Sequence, residues 1–188
     1  MNWPIKFYLY IRHKIFKIDD RTSLQQALDN GMKLGKDPSI QDQVMLDPSH
    51  SWLISIGDKV TLAPRVCILA HDASTKRHLG YTLIAPVTIG NNVFIGAGTI
   101  VLPGSTIGDN VIIGAGSIVT GNIPSNNVFA GNPARQICTL EEYLLKRKEQ
   151  MQRAPLYDES YIVSNITPDK KVQMISELSK NPSRGFIR

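Results

Sequence analysis

His71, in the stretch ILAHDASTK, is the side chain best suited to proton transfer in this chain of 188 residues. It stands three residues past Ile68, an aliphatic residue that belongs to a periodic series, and at that offset it faces outward at a corner. Imidazole titrates near neutral pH, so a residue so placed can take a proton from an attacking group and pass it on. A lone loop histidine is as readily a solvated ring, and the residue type alone does not decide. His50, in DPSHSW, and His78 offer hydrogen bonds to a substrate, or are ordinary exposed histidines. Asp47 and Trp52 add a carboxylate and a stacking face that a bound substrate could use. Asp72 adjoins His71 in sequence, which does not put it in hydrogen-bond reach, so the group that orients the imidazole is not legible. Cys67 is a conceivable nucleophile, but a thiolate needs an activating neighbour and the sequence gives it none of known position.

A repeat positions these residues. Ile89, Ile95, Val101, Ile107, Ile113 and Val119 fall at every sixth place. That period fits neither a helix of 3.6 residues per turn nor a hairpin sheet. It marks a hexapeptide β-helix, in which three short strands make a coil and coils stack about 4.8 Å apart. Two earlier sets extend the series: Ile56, Leu62 and Ile68 with Val60 and Val66 as inward partners, and Leu34, Ile40 and Leu46 with Val44. Twelve anchors make about four coils. The second place of the hexad holds Gly90, Gly96, Gly108 and Gly114, expected to turn corners through backbone angles that strain other residues. The fifth holds Val93, Thr99, Ser105, Val111 and Ser117, which face inward again by strand alternation. Two interruptions break the series, a short one near residues 49–51 and one of about fifteen residues, 71–85. The longer is too polar for the prism wall and must project, which makes it the first place to look for function.

The flanks differ from the core, and the expected division is 1–33, 34–135 and 136–188. In the first segment Trp3, Phe7, Tyr8 and Tyr10 mix with Lys6, Arg12, Lys14 and Lys17. Such an arm packs on its own or a neighbouring subunit, or rests on an anionic membrane surface, which would place the protein at the inner face of the membrane. Thr22–Met32 reads as a short capped helix. Thr139–Gln152 reads as a second, with Thr139 as cap, and Asp169–Ser179 as a third, with Pro168 in its first turn. A net charge of +5 without clustered basic residues does not suit a nucleic-acid reader. No apolar run approaches the length of a membrane span. Two cysteines do not make a disulfide framework, so the expected location is cytoplasmic.

The run APVTIGNNVFIGAGTIVLPGSTIGDNVIIGAGSIVTGNIPSNNVFAGNPAR, residues 85–135, resembles the hexapeptide-repeat acyltransferases. It is most similar to the branch of galactoside and maltose acetyltransferases and the O-acetyltransferases of bacterial polysaccharide synthesis. The resemblance implies a mainly β, left-handed parallel β-helix, a homotrimer with active sites between subunits, and acetyl-CoA as donor. It also implies His71 as the catalytic base, and contacts to coenzyme A from Ala97, Ala115, Thr120 and Arg135. Gly121 stands where lysine is usual, Cys138 where arginine is common, and Phe94 where tryptophan is usual. Those departures leave the phosphate contacts to Arg135 with help from Lys146 or Arg147. The activity so implied is direct transfer of acetyl from acetyl-CoA to a hydroxyl of a sugar or cell-envelope saccharide precursor. Asp47, His50, Trp52 and His78 would touch the acceptor. Two alternatives on the same prism are acetylation of an amino sugar on nitrogen and a non-catalytic scaffold. A metal enzyme of the γ-carbonic anhydrase kind needs three histidines around its metal, and no pair here has the short spacing it requires, so no metal is expected.

Overall fold

A computed structural model of the chain describes residues 22–180 and 184–188. The N-terminal arm, with its expected membrane or subunit contact, lies outside the described residues. The chain divides into two compact units, residues 1–137 and 138–188.

Three parallel ladders form the walls of the first unit. The first wall stacks Lys33–Leu34, Ile54–Ile56, Val87–Ile89, Thr106–Ile107 and Asn122–Ile123. The second stacks Ser39–Ile40, Thr61–Leu62, Phe94–Ile95, Ile112–Ile113 and Asn127–Ala130. The third stacks Met45–Leu46, Cys67–Ile68, Ile100–Val101 and Ile118–Val119. Equivalent anchors pair directly across coils, Leu46 with Ile68, Ile68 with Val101 and Val101 with Val119. The chain therefore visits the three walls in turn, and the six-residue period is one strand plus one corner.

Anchors from Leu46 to Val119 are buried, with Ile68, Ile95, Val101, Ile113 and Val119 wholly inaccessible. Removing such a side chain from water contributes roughly 1.5–3 kcal/mol each. Leu34 and Ile40, in the first coil, are only half-buried against this core. The helix Ser23–Asp29 covers that end: Ala27 is buried there, and Ser23 Oγ accepts from Leu46 N at 3.1 Å. The hydroxyls among the inward fifth places are spent on backbone carbonyls. Thr99 and Ser117 donate to Gly114 O, and Ser105 donates to Val119 O. A buried hydroxyl without such a partner would cost free energy, so the hexad tolerates it only here.

The glycines after the anchors work differently from the expectation. None of Gly57, Gly90, Gly96 and Gly108 has a positive φ. A Cβ on Gly90 would lie 2.4 Å from Asp109 Oδ1, and one on Gly96 would lie 2.5 Å from Ala115 N. They are glycine because the next coil stacks against them. At the first corner the left-handed angles fall two places later, on Lys59, Asn92 and Asn110.

The second unit, by itself, holds two helices and a small ribbon. Leu140–Met151 starts on a capping box between Thr139 and Glu142, and Pro168–Leu178 starts with Pro168 in its first turn behind the cap Thr167. Leu156–Tyr157 pairs in parallel with Phe186–Ile187, and the buried Tyr157 donates from its hydroxyl to Glu177 Oε2 at 3.0 Å. Among the described residues no helix is long and apolar enough to cross a membrane.

Candidate active site

Both interruptions of the repeat leave the third wall at the same corner. The short one runs from Leu46 to the strand Ile54–Ile56, and the long one from Ile68 to Val87–Ile89. Because Leu46 stacks on Ile68, the two excursions begin one above the other. The long excursion folds as a hairpin: His71–Asp72 pairs antiparallel with Leu83–Ile84, and a helical turn, Lys76–Leu79, forms its tip. The short one is a 3-10 turn, Ser51–Leu53, preceded by His50.

Asp47 lies between them and is fully buried. Its Oδ1 accepts from Ser49 N at 2.9 Å and His50 N at 3.0 Å. Its Oδ2 accepts from Ala70 N at 2.8 Å and approaches His71 Nδ1 at 2.5 Å. Burial alone would push the Asp47 carboxyl up, but the bonds from His71, Ala70, Ser49 and His50 outweigh it and hold the group below its ordinary value. An ionised carboxylate only accepts, so Nδ1 of His71 carries a proton, and in the neutral ring Nε2 keeps its lone pair. This is the tautomer a general base needs.

Asp47 is thus corrected from a sugar contact to the partner of His71, since a wholly buried carboxylate with these four bonds has nothing to offer a sugar. The orienting group left open in the sequence is Asp47 and not the exposed Asp72, whose carboxylate accepts from Ser74 N. His50 packs in the same group, tilted against both rings, its centroid 5.2 Å from those of His71 and Trp52. Trp52 is 53% exposed and offers a free ring face. His78 stands apart, exposed on the hairpin tip.

His71 opens onto a cleft of about 500 Å³, lined also by Leu69, Asp72, Ala73, Leu83, Leu102 and Pro103. Among these only His71 and Asp72 carry titratable side chains, so the walls beside the imidazole are largely apolar. Cys67 sits one coil from Asp47, and burial together with the Asp47 charge pushes its thiol up, away from thiolate. Ala97 and Ala115 stack at the corner between the second and third walls, where Gly116 N donates to Ala97 O at 2.9 Å. Thr120 is exposed at the far end of the third wall. Arg135 is exposed, and among the described residues its guanidinium donates to the neighbouring Ala134 O. Leu69, Leu83, Leu102 and Pro103 are cleft residues that the sequence alone did not single out. Leu69 and Leu102 each directly follow a third-wall anchor, and stacked hexads put them side by side.

The chain matches the family of bacterial transferase hexapeptide proteins (six repeats) over residues 86–121. It is 38% identical over 137 residues to Protein CapG of Staphylococcus aureus, covering 71% of this chain and 75% of that protein. It is 47% identical over 89 residues to the galactoside O-acetyltransferase of Escherichia coli (strain K12), covering 46% of this chain and 44% of that one. Among solved structures it is similar to a galactoside acetyltransferase in complex with coenzyme A, at 38% identity and a TM-score of 0.50, over 60% of this chain and 57% of that chain. The chain thus spans three quarters of CapG but less than half of the galactoside enzyme.

Proposed function

Since the chain belongs to the hexapeptide-repeat transferases, we propose that it moves an acetyl group from acetyl-CoA to a hydroxyl of a sugar or cell-envelope saccharide precursor, with His71 as general base. The observation that carries this reading is the hydrogen bond from His71 Nδ1 to the buried Asp47, at the mouth of a cleft.

The steps follow from the tautomer. Nε2 of His71 takes the proton of the acceptor hydroxyl as its oxygen attacks the thioester carbonyl. Asp47 steadies the imidazolium that forms, as the orienting carboxylate of a triad does. Backbone N–H groups stabilise the tetrahedral oxyanion. Its collapse restores the carbonyl, breaks the carbon–sulfur bond and releases the thiol of coenzyme A, which takes the proton back from Nε2. Transfer is direct, because Cys67 is held as a thiol and does not supply a nucleophile.

Ala97 and Ala115 present small side chains to the pantetheine arm, Thr120 a hydroxyl, and Arg135 paired donors to phosphate. His50 and Trp52 hold the acceptor, His50 by a ring nitrogen and Trp52 by stacking, and His78 reaches it from the hairpin tip. The fold winds left-handed, as the family resemblance implies, and the working unit is a homotrimer. The support for the trimer is what one chain leaves open. Leu79, Tyr81, Leu83 and Ile84 on the hairpin are 54–80% exposed, and Met45 and Phe94 on the walls 44–47%. Apolar surface of that extent marks an interface, and a neighbour packed there encloses the cleft beside His71.

The test is acetyl-CoA consumption by the purified protein against a panel of sugars, amino sugars and nucleotide sugars, with the product mapped by NMR. An O-acetylated product is expected. Acetylation of nitrogen alone, or no turnover with any acceptor while coenzyme A still binds, would overturn the reading.

A further inference from the structure

Asp47, His50 and His71 each offer a ligand atom, and the three lie within 4.8 Å of one another. Two histidines and one carboxylate form a common zinc set, leaving a fourth position open. We propose that this corner is also a binding site for a divalent transition-metal ion such as Zn²⁺, and that the ion, when bound, switches off the base. The silencing, though not the binding, rests on the function proposed above.

Three observations point to an ion. First, Nδ1 of His50 is buried and makes no hydrogen bond among the described residues, a lone pair or proton without a partner there beside a carboxylate and a second imidazole. Buried polar atoms are seldom left so without a reason. Second, Asp47 is held by three backbone N–H groups, from Ser49, His50 and Ala70. Outer bonds of that kind fix a metal-binding carboxylate and lower the cost of ordering it. Third, the two histidines come from different excursions of the chain, yet their rings sit 5.2 Å apart. The proton between His71 Nδ1 and Asp47 occupies the place of the ion, and the 2.5 Å separation there must open for it. Ligand bonds of about 2.0–2.2 Å put neighbouring donors about 3.3 Å apart in a tetrahedral site. The side chains must therefore part by somewhat under an ångström, which a ring rotation of His71 supplies.

The chemistry of silencing follows from either ring nitrogen. Ligation through Nδ1 of His71 requires the ring's one proton to move, by way of solvent, from Nδ1 to Nε2, which can then no longer accept one. Ligation through Nε2 occupies the base itself. No electron transfer is involved, and a chelator reverses either state. The ion is an inhibitor here and not a requirement for transfer.

The experiment uses the full chain without a histidine tag, stripped with chelator and desalted. Zn²⁺ is titrated by calorimetry and against a chromogenic chelator, and Co²⁺ is read by its visible absorption. One tight Zn²⁺ per chain is expected, with Co²⁺ showing the strong absorption of a four-coordinate site. His50→Ala should weaken binding by at least about tenfold, and so should His71→Ala. Absence of saturable one-to-one binding, or equal affinity in wild type and both variants, overturns the site. In the acetylation assay Zn²⁺ should lower turnover and excess chelator should restore it. A zinc-loaded chain with full turnover overturns the silencing. A chain inactive even without zinc overturns the proposed function, while the binding titration still reads the site.

Discussion

Two corners of the same prism use polar side chains in opposite ways. At the corner after the first wall, each coil repeats the last. Asp58 Oδ1 accepts from Lys36 N, Asn91 Oδ1 from Asp58 N, Asp109 Oδ1 from Asn91 N, and Ser125 Oγ accepts from Asp109 N, all within 2.6–2.9 Å. Every side chain is consumed in tying one coil to its neighbour. At the corner after the third wall, Asp47 also takes a backbone N–H of the adjacent coil, from Ala70. There the repeat then breaks twice, and the carboxylate has a second task, holding His71. The first corner shows what the repeat needs for stacking. The third shows what is left over when two excursions leave from the same point: side chains in contact that the stacking does not require.

If that contrast is right, substitutions at the two corners should separate stability from turnover. The largest effect belongs to His71→Ala, which should lower turnover by about 10²–10⁴-fold. Coenzyme A binding and melting temperature should change little, because His71 contributes no wall contact; a collapse of either would make it structural. Asp47→Ala should lower turnover by at least about tenfold and no more than His71→Ala does. Unlike that variant it should also lower the melting temperature, since Ser49, His50 and Ala70 would lose the acceptor for their N–H groups. Gly90→Ala, at the first corner, should destabilise by roughly 1–3 kcal/mol through the clash with Asp109. Turnover per folded molecule should stay near wild type, and a large loss there would erase the distinction between corners. Asn91→Ala removes one link of the exposed ladder and should cost about 0.5–1.5 kcal/mol in a denaturant melt.

The smallest effect is in acid. The Asp47 carboxyl titrates below its ordinary value of 3.8 in the folded chain. Its contribution to stability is therefore complete above the unfolded value and is lost as pH falls through the folded one. The stability gap between wild type and Asp47→Asn should narrow as pH drops below about 4. A gap that widens in acid would mean that the carboxylate is not stabilised by its bonds.

Much of the prism was legible because burial enforces it. An anchor such as Ile95 or Val101 has to be aliphatic to fill the interior, and it recurs because each strand-and-corner unit has the same length. The glycines after the anchors answer to a different constraint from the expected one, the approach of the next coil and not φ. His71 was visible as a residue at a corner, but its partner was not. Asp47 and His71 are separated by 24 residues, and nothing periodic marks the pair. The signal available was that Leu46 and Ile68 occupy the same wall of adjacent coils, so residues just after them must share a corner. The first-coil anchors Leu34 and Ile40 proved less buried than the period suggests, because an end coil has a neighbour on one side only.

The claim at the centre of this account is that Asp47 acts in transfer through His71 alone, and a double-mutant cycle on turnover tests it most directly. Turnover, corrected for folded fraction, is measured for wild type, Asp47→Asn, His71→Ala and the double variant with one confirmed acceptor. Asparagine keeps the side-chain shape and removes the carboxylate that fixes the tautomer. The account predicts that Asp47→Asn costs at least about tenfold when His71 is present, and nothing further once His71 is alanine. Losses that multiply in the double variant would mean that Asp47 and His71 act independently, and the paired site described here would be wrong.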